Sequence, residues 1–181
     1  MRIYVAGLAA LIVLGGCQMT APKAPPASEG RGRPKIVLSS ARAGAGQTAT
    51  ITATLQTGGA KIAGTQNDIT FDPKAVSIAR KANGKPDCQP NTALDKSGTA
   101  FSFLPQHCAP GACDSMRALV LSLNNVEPIP DGSVLYTCTV EVAMDAAPGA
   151  KSLRLTRLGF SDPGGKVVNG TGVDATVTVG R

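Results

Sequence analysis

From residue 35 onward the chain alternates apolar and polar positions with a period of two. That period marks strands with one buried face, not helices, whose apolar stripe recurs every 3.6 residues. Ten segments carry it: residues 36–39, 48–55, 62–71, 76–80, 99–104, 117–123, 134–143, 152–160, 166–168 and 175–179. In 48–55, Ala49, Ile51, Ala53 and Leu55 fall on one side and Thr48, Thr50, Thr52 and Thr54 on the other. The same reading sends Ile69 and Phe71 inward and leaves Gln66, Asp68 and Thr70 outward. On 117–123 it places Leu119, Leu121 and Leu123 inward, with Ala118, Val120 and Ser122 outward. Phe101 pairs with Phe103 and Leu153 with Leu155, while Val134, Tyr136, Cys138, Val140 and Val142 share a face. Turn residues separate these segments, among them Gly58-Gly59, Asp72-Pro73, Asn83-Gly84, Pro130-Asp131-Gly132 and Asp162-Pro163-Gly164-Gly165, which favour chain reversal. Gly170-Thr171-Gly172, between two short segments, reads as a further turn. No stretch supports a helix of ten residues. About ten short strands predict an all-β sandwich or barrel.

The N-terminus has a different pattern. Arg2 precedes an unbroken apolar or small run over residues 3–14. A membrane span needs ~20 such residues, so this run fits a secretory signal. It ends in Leu14-Gly15-Gly16-Cys17, which resembles the bacterial lipobox. Residues 1–17 are therefore expected to be a lipoprotein signal peptide, with Cys17 as the lipidated first residue of the mature chain. Residues 18–35 contain Pro22, Pro25, Pro26 and Pro34 and almost no bulky hydrophobe. Such a segment cannot bury enough surface to fold and reads as a tether, with a reach of roughly 20–25 Å if flexible. The folded domain is expected over 36–181.

Charge follows the same division. Of the net +6, Arg2 carries +1 and the tether +3, leaving +2 over residues 36–181. A basic tether beside an anchor suits a lipid surface. The nearly neutral domain gives no nucleic-acid footprint. Aromatics are scarce: four Phe, two Tyr and no Trp. Stacking platforms for sugars or single strands need exposed rings, and here nearly every ring has an inward position.

Four cysteines remain after Cys17: Cys88, Cys108, Cys113 and Cys138. In an exported chain an even count predicts two disulfides. Three pairings are open, and sequence does not choose among them. The pairing favoured here is Cys108–Cys113, closing a short Pro-Gly loop, with Cys88 joined to Cys138. No zinc spacing emerges around His107, the single histidine, and no nucleophile motif accompanies it. Asp72, Asp131, Asp145, Asp162 and Asp174 sit near turns. Asx turns explain each one singly, and their spacing brings no calcium or glycosidase pair together. No catalytic residue, metal or cofactor is expected.

The run Gly64-Thr65-Gln66-Asn67-Asp68-Ile69-Thr70-Phe71-Asp72-Pro73-Lys74-Ala75-Val76 resembles a segment of the cohesins, in which an alternating strand ends in an aromatic followed by Asp-Pro and an apolar residue. Gly46-Gln47-Thr48 matches upstream, and Arg117-Ala118-Leu119-Val120-Leu121-Ser122, Asp131-Gly132-Ser133-Val134-Leu135 and Pro148-Gly149 follow in the family's order. The likeness covers roughly residues 36 to 179. It implies a jelly-roll sandwich of about nine strands that binds dockerin modules through one sheet face including the third strand. Gln66, Asp68, Thr70, Ala118, Val120 and Ser122 are then the candidate contacts. The four domain cysteines depart from the better-known cohesins. The expected function is a non-catalytic, lipid-anchored module that recruits a dockerin-type protein at the bacterial envelope. Gln18, where an Asp would favour inner-membrane retention, favours the outer membrane or cell surface. The alternatives are a carbohydrate-binding module, whose polysaccharide ligand the missing rings disfavour, and a structural envelope lipoprotein.

Overall fold

A computed structural model describes residues 32–180. The expected signal peptide, Cys17 and most of the expected tether lie outside them. Thirteen strands form among the described residues: β1 Lys35–Leu38, β2 Ala41–Ala43, β3 Thr48–Gln56, β4 Gly64–Thr70, β5 Val76–Ile78, β6 Cys88–Pro90, β7 Ala100–Leu104, β8 Ser115–Val120, β9 Val134–Val142, β10 Gly149–Ser161, β11 Val167–Val168, β12 Thr171–Val173 and β13 Ala175–Val179. A single 3₁₀ turn, Thr92–Leu94, is the helical element. The architecture is the expected all-β jelly-roll sandwich.

One sheet runs β12-β1-β3-β9-β5, with β6 also on β9; the other runs β2-β13-β10-β4-β8-β7, with β11 on β10. Two pairings, β1 with β12 and β2 with β13, are parallel. The chain therefore enters one sheet with β1 and crosses at once to the other with β2. Ile36, Ile51, Leu55, Ile69, Met116, Tyr136, Val140, Leu153 and Val177 fill the space between the sheets. The four phenylalanines lie in or against this core, and Phe101 meets the Tyr136 ring edge-on at 5.3 Å.

Three expectations are corrected. First, β8 has the opposite parity. Met116, Ala118 and Val120 are buried, Leu119 and Leu121 are half-exposed on the outer side, and Leu123 is 90% exposed beyond the strand. Register decides this: Ala118 stands opposite inward Asn67, and Arg117 opposite Asp68. Reversing the strand would bury the Arg117 guanidinium, which costs far more than exposing two leucines. Second, the β3–β9 ladder slips between Ala53 and Thr54, which face Tyr136 and Val134. This bulge puts both Leu135 and Tyr136 inside and turns Val134 outward, because an extra residue breaks the alternation. Third, Gly170-Thr171-Gly172 is not a turn. Thr171–Val173 is a strand against β1. Its Gly172 is a close approach, where a β-carbon would stand 3.0 Å from Leu155 and Leu158.

Both disulfides form in the favoured pairing. Cys88 and Cys138 are directly opposed across β6 and β9. Cys108 and Cys113 close the loop between β7 and β8.

Candidate partner-binding face

The outer face of the β10-β4-β8-β7 sheet is set by the alternation in β4. Thr65, Asn67 and Ile69 point into the core, so Gln66, Asp68 and Thr70 point out. Outward Asp68 is nevertheless roofed over, with its side chain only 4% exposed. Arg117, its cross-strand neighbour, covers it with a two-pronged contact, Nε to Oδ1 at 2.7 Å and Nη2 to Oδ2 at 2.8 Å. This fork geometry is the strong form of a carboxylate–guanidinium pair. Hydrogen bonding to Asp68 raises the Arg117 pKa above its ordinary value.

A second arginine reaches the same carboxylate from the other side. The β10–β4 ladder shifts register between Thr156 and Gly159, leaving Arg157 and Leu158 in a bulge. Arg157 there adopts a left-handed backbone, φ 47°, which is uncommon for a residue with a β-carbon. Its Nε lies 3.7 Å from Asp68 Oδ2 and its side chain is 75% exposed. Both Asp68 oxygens already serve Arg117, so most of the Arg157 donors face solvent. Arg154 stands outward opposite Thr70. Three guanidinium groups thus stand around the Asp68 carboxylate, and Asp72 lines a cleft with Thr70 and Arg154 at the end of the row. Around them lie Gln66, Gly159, Ala100 and Ser102, with Leu119 between Gln66 and Ala100. The opposite sheet's outer face differs. Thr50, Thr52, Thr137 and Thr139 form a neutral hydroxyl ladder on β3 and β9.

Of the six sequence-derived contacts, Gln66, Asp68 and Thr70 are on this face. Ala118 and Val120 are not: each is 1% exposed, in the core. Ser122 is also buried, past the end of β8, where its Oγ accepts from the backbone amides of Asn124 and Asn125. It is a turn-stabilising residue. Sequence reading missed Arg117, Leu119, Arg154 and Arg157. The available signal was the pairing of oppositely charged Asp68 and Arg117 across neighbouring strands, which would have set the β8 parity. Among the described residues no group of three or more His, Cys, Asp or Glu side chains converges as metal ligands would.

No protein-family model matches the chain, and no curated protein does. Solved structures do. A cohesin from Clostridium acetobutylicum, crystallised with a dockerin, superposes with a TM-score of 0.67 at 15% identity, over 82% of this chain and 100% of that one. The chain has the cohesin fold. An OlpA cohesin from Clostridium thermocellum, also solved with a dockerin, matches at a TM-score of 0.63 and 16% identity, covering 82% of this chain and 99% of its own. A non-cellulosomal cohesin from the archaeon Archaeoglobus fulgidus matches at 0.59 and 14%, covering 83% and 93%. The cohesin fold therefore accounts for nearly all of the described sandwich.

Proposed function

We propose that this cohesin-fold domain is a non-catalytic binding module that takes a dockerin-type protein on the β10-β4-β8-β7 face. The observation that carries the reading is the Arg117–Asp68–Arg157 row, with Arg154 beside it, on a flat sheet face of a fold whose solved examples include dockerin complexes. Three arginines outnumber the carboxylates beside them, Asp68 and Asp72, and favour a partner surface rich in carboxylates. Arg117 is held by its fork and serves as a fixed donor, whereas Arg157 keeps most of its donors toward solvent and Arg154 is exposed. Exposed arginines next to small residues and a half-buried Leu119 supply the enriched residue type and the low relief of a protein interface. The Cys17 lipid anchor and the basic tether would hold the module at the cell envelope, with the sheet face turned to a soluble partner.

The test is binding of purified dockerin modules, drawn first from the genome that encodes this chain, to the wild-type chain and to an Arg154→Glu/Arg157→Glu variant. Charge reversal at two rim cations is expected to weaken binding at least about tenfold and to lessen its salt dependence. A Thr50→Glu/Thr139→Glu variant on the other sheet should bind as wild type. If no dockerin binds, or if the two variants lose affinity alike, the reading fails.

A further inference from the structure

The two disulfides occupy opposite environments. Cys88 and Cys138 are both 1% exposed and join paired strands inside the core. Cys108 and Cys113 close a loop of sequence separation 5. Cys108 is half-exposed and lines a cleft of about 500 Å³ with Arg80, Lys85, Phe101, Phe103 and His107. Cys113 is buried behind it at 4% exposure. Arg80 Nη2 lies 2.9 Å from Cys113 Sγ. The guanidinium is fixed there by three further contacts: Nη1 to the Gly84 carbonyl at 2.6 Å, Nη2 to the Cys108 carbonyl at 3.4 Å, and the Phe103 ring 4.3 Å from its central carbon. No Asp or Glu lines the cleft.

We propose that Cys108–Cys113 is a thiol–disulfide exchange site, opened by a dithiol reductant that enters this cleft, whereas Cys88–Cys138 is a permanent staple. Exchange speeds up with access to the attacked sulfur and with a low pKa of the departing thiol. The geometry assigns those roles to different cysteines. An incoming thiolate attacks Cys108 Sγ, the sulfur at the cleft. The Sγ–Sγ bond breaks, and its electron pair leaves on Cys113 as a thiolate beside Arg80, whose positive charge stabilises it. The attacking sulfur is left in a mixed disulfide with Cys108. The reductant's second thiol, deprotonated, then attacks its own partner sulfur in that mixed disulfide. Cys108 is released as a thiolate that takes up a proton, and the reductant departs as a disulfide. Two electrons pass from reductant to protein. The cationic cleft of Arg80 and Lys85 draws thiolates in. Opening the bridge frees the loop between β7 and β8 and leaves the Cys113 thiolate beside Arg80.

The test uses the full chain in detergent, with dithiothreitol as the dithiol and reduced glutathione as a monothiol trap. Thiols are blocked by alkylation and located by peptide mass mapping, while circular dichroism monitors the fold. Cys108 and Cys113 are expected to become alkylated in the folded protein under conditions that leave Cys88 and Cys138 joined. Glutathione should be trapped on Cys108. Arg80→Gln should slow reduction about threefold to tenfold, the effect of raising a leaving thiol by one or two pKa units, and Arg80→Lys should retain most of the rate. The proposal is overturned if both bridges open together, if glutathione is found on Cys113, or if a folded Arg80→Gln chain is reduced as fast as wild type. The wild-type mapping decides the matter alone should the Arg80 variants fail to fold. No dockerin is required, so the result is independent of the partner reading.

Discussion

Asn67 and Tyr136 join the two sheets through the centre of the core. The Asn67 amide donates to the Tyr136 oxygen at 2.8 Å, and the phenol donates back to Asn67 Oδ1 at 3.1 Å. Both residues are buried. Burial pushes the phenol's pKa well above its ordinary value, so it stays neutral throughout the physiological range. A reciprocal pair of this kind is costly to half-remove, because the surviving partner is left buried without a bond. Tyr136→Phe is therefore expected to destabilise the domain by about 1–3 kcal/mol, read as a lower urea midpoint with an unchanged m-value. An unshifted midpoint would show that the bond contributes nothing. At this scale the sequence was partly readable. Alternation left Asp68 outward, opposite in parity to Asn67, but neither residue's partner could be named, since Tyr136 is 69 positions from Asn67 and Arg117 is 49 from Asp68.

Elements are tied by their turns as much as by their ladders. Asp131, in the turn before β9, accepts from the backbone amide of Thr57 at 2.5 Å and from the Thr57 hydroxyl at 3.0 Å. The turn thereby clips the end of β3. These bonds, the amide foremost, hold the Asp131 carboxyl below its ordinary 3.8. A carboxyl depressed in the folded state contributes stability above its unfolded pKa and loses it as pH falls through the folded value. Stability should thus fall on acidification below about pH 4, and Asp131→Asn should flatten that part of the profile. Melting temperatures of the two proteins across the acid range check this. Parallel curves would exclude the clip as a source of acid sensitivity. The Pro130-Asp131-Gly132 turn was visible from composition; the residue it grips was not. The β8 parity was misread for a related reason: a run with leucine at every second position has an apolar face, but the strand beside it decides which face is covered.

For the molecule as a whole, the proposed anchor and the sandwich are expected to be separable. If Cys17 carries the lipid, a Cys17→Ser chain should leave the membrane pellet for the soluble fraction while its domain melts as before, since none of the described strands includes residue 17. Retention of the variant in the pellet would refute lipid anchoring. The domain's stability rests instead on the inter-sheet core and on the Cys88–Cys138 staple, which closes a separation of 50 residues and contributes roughly 2–4 kcal/mol in chain-entropy terms.

Local sequence determined the strands with clear alternation, most of the turns and the all-β class, because a period of two and the conformational needs of Gly, Pro and Asp are properties of a few adjacent residues. The run ending in Phe71-Asp72-Pro73 carried the resemblance to the fold that the whole chain adopts. Tertiary structure decided the rest. It chose the parity of β8, inserted the bulge that presents Arg157, made a strand of Thr171–Val173 and gathered Arg117, Arg154 and Arg157 around one carboxylate. These are register effects. Moving a strand by one residue exchanges its faces, and the energies that forbid it, a buried guanidinium or an unpaired carboxylate, arise between residues far apart in the chain.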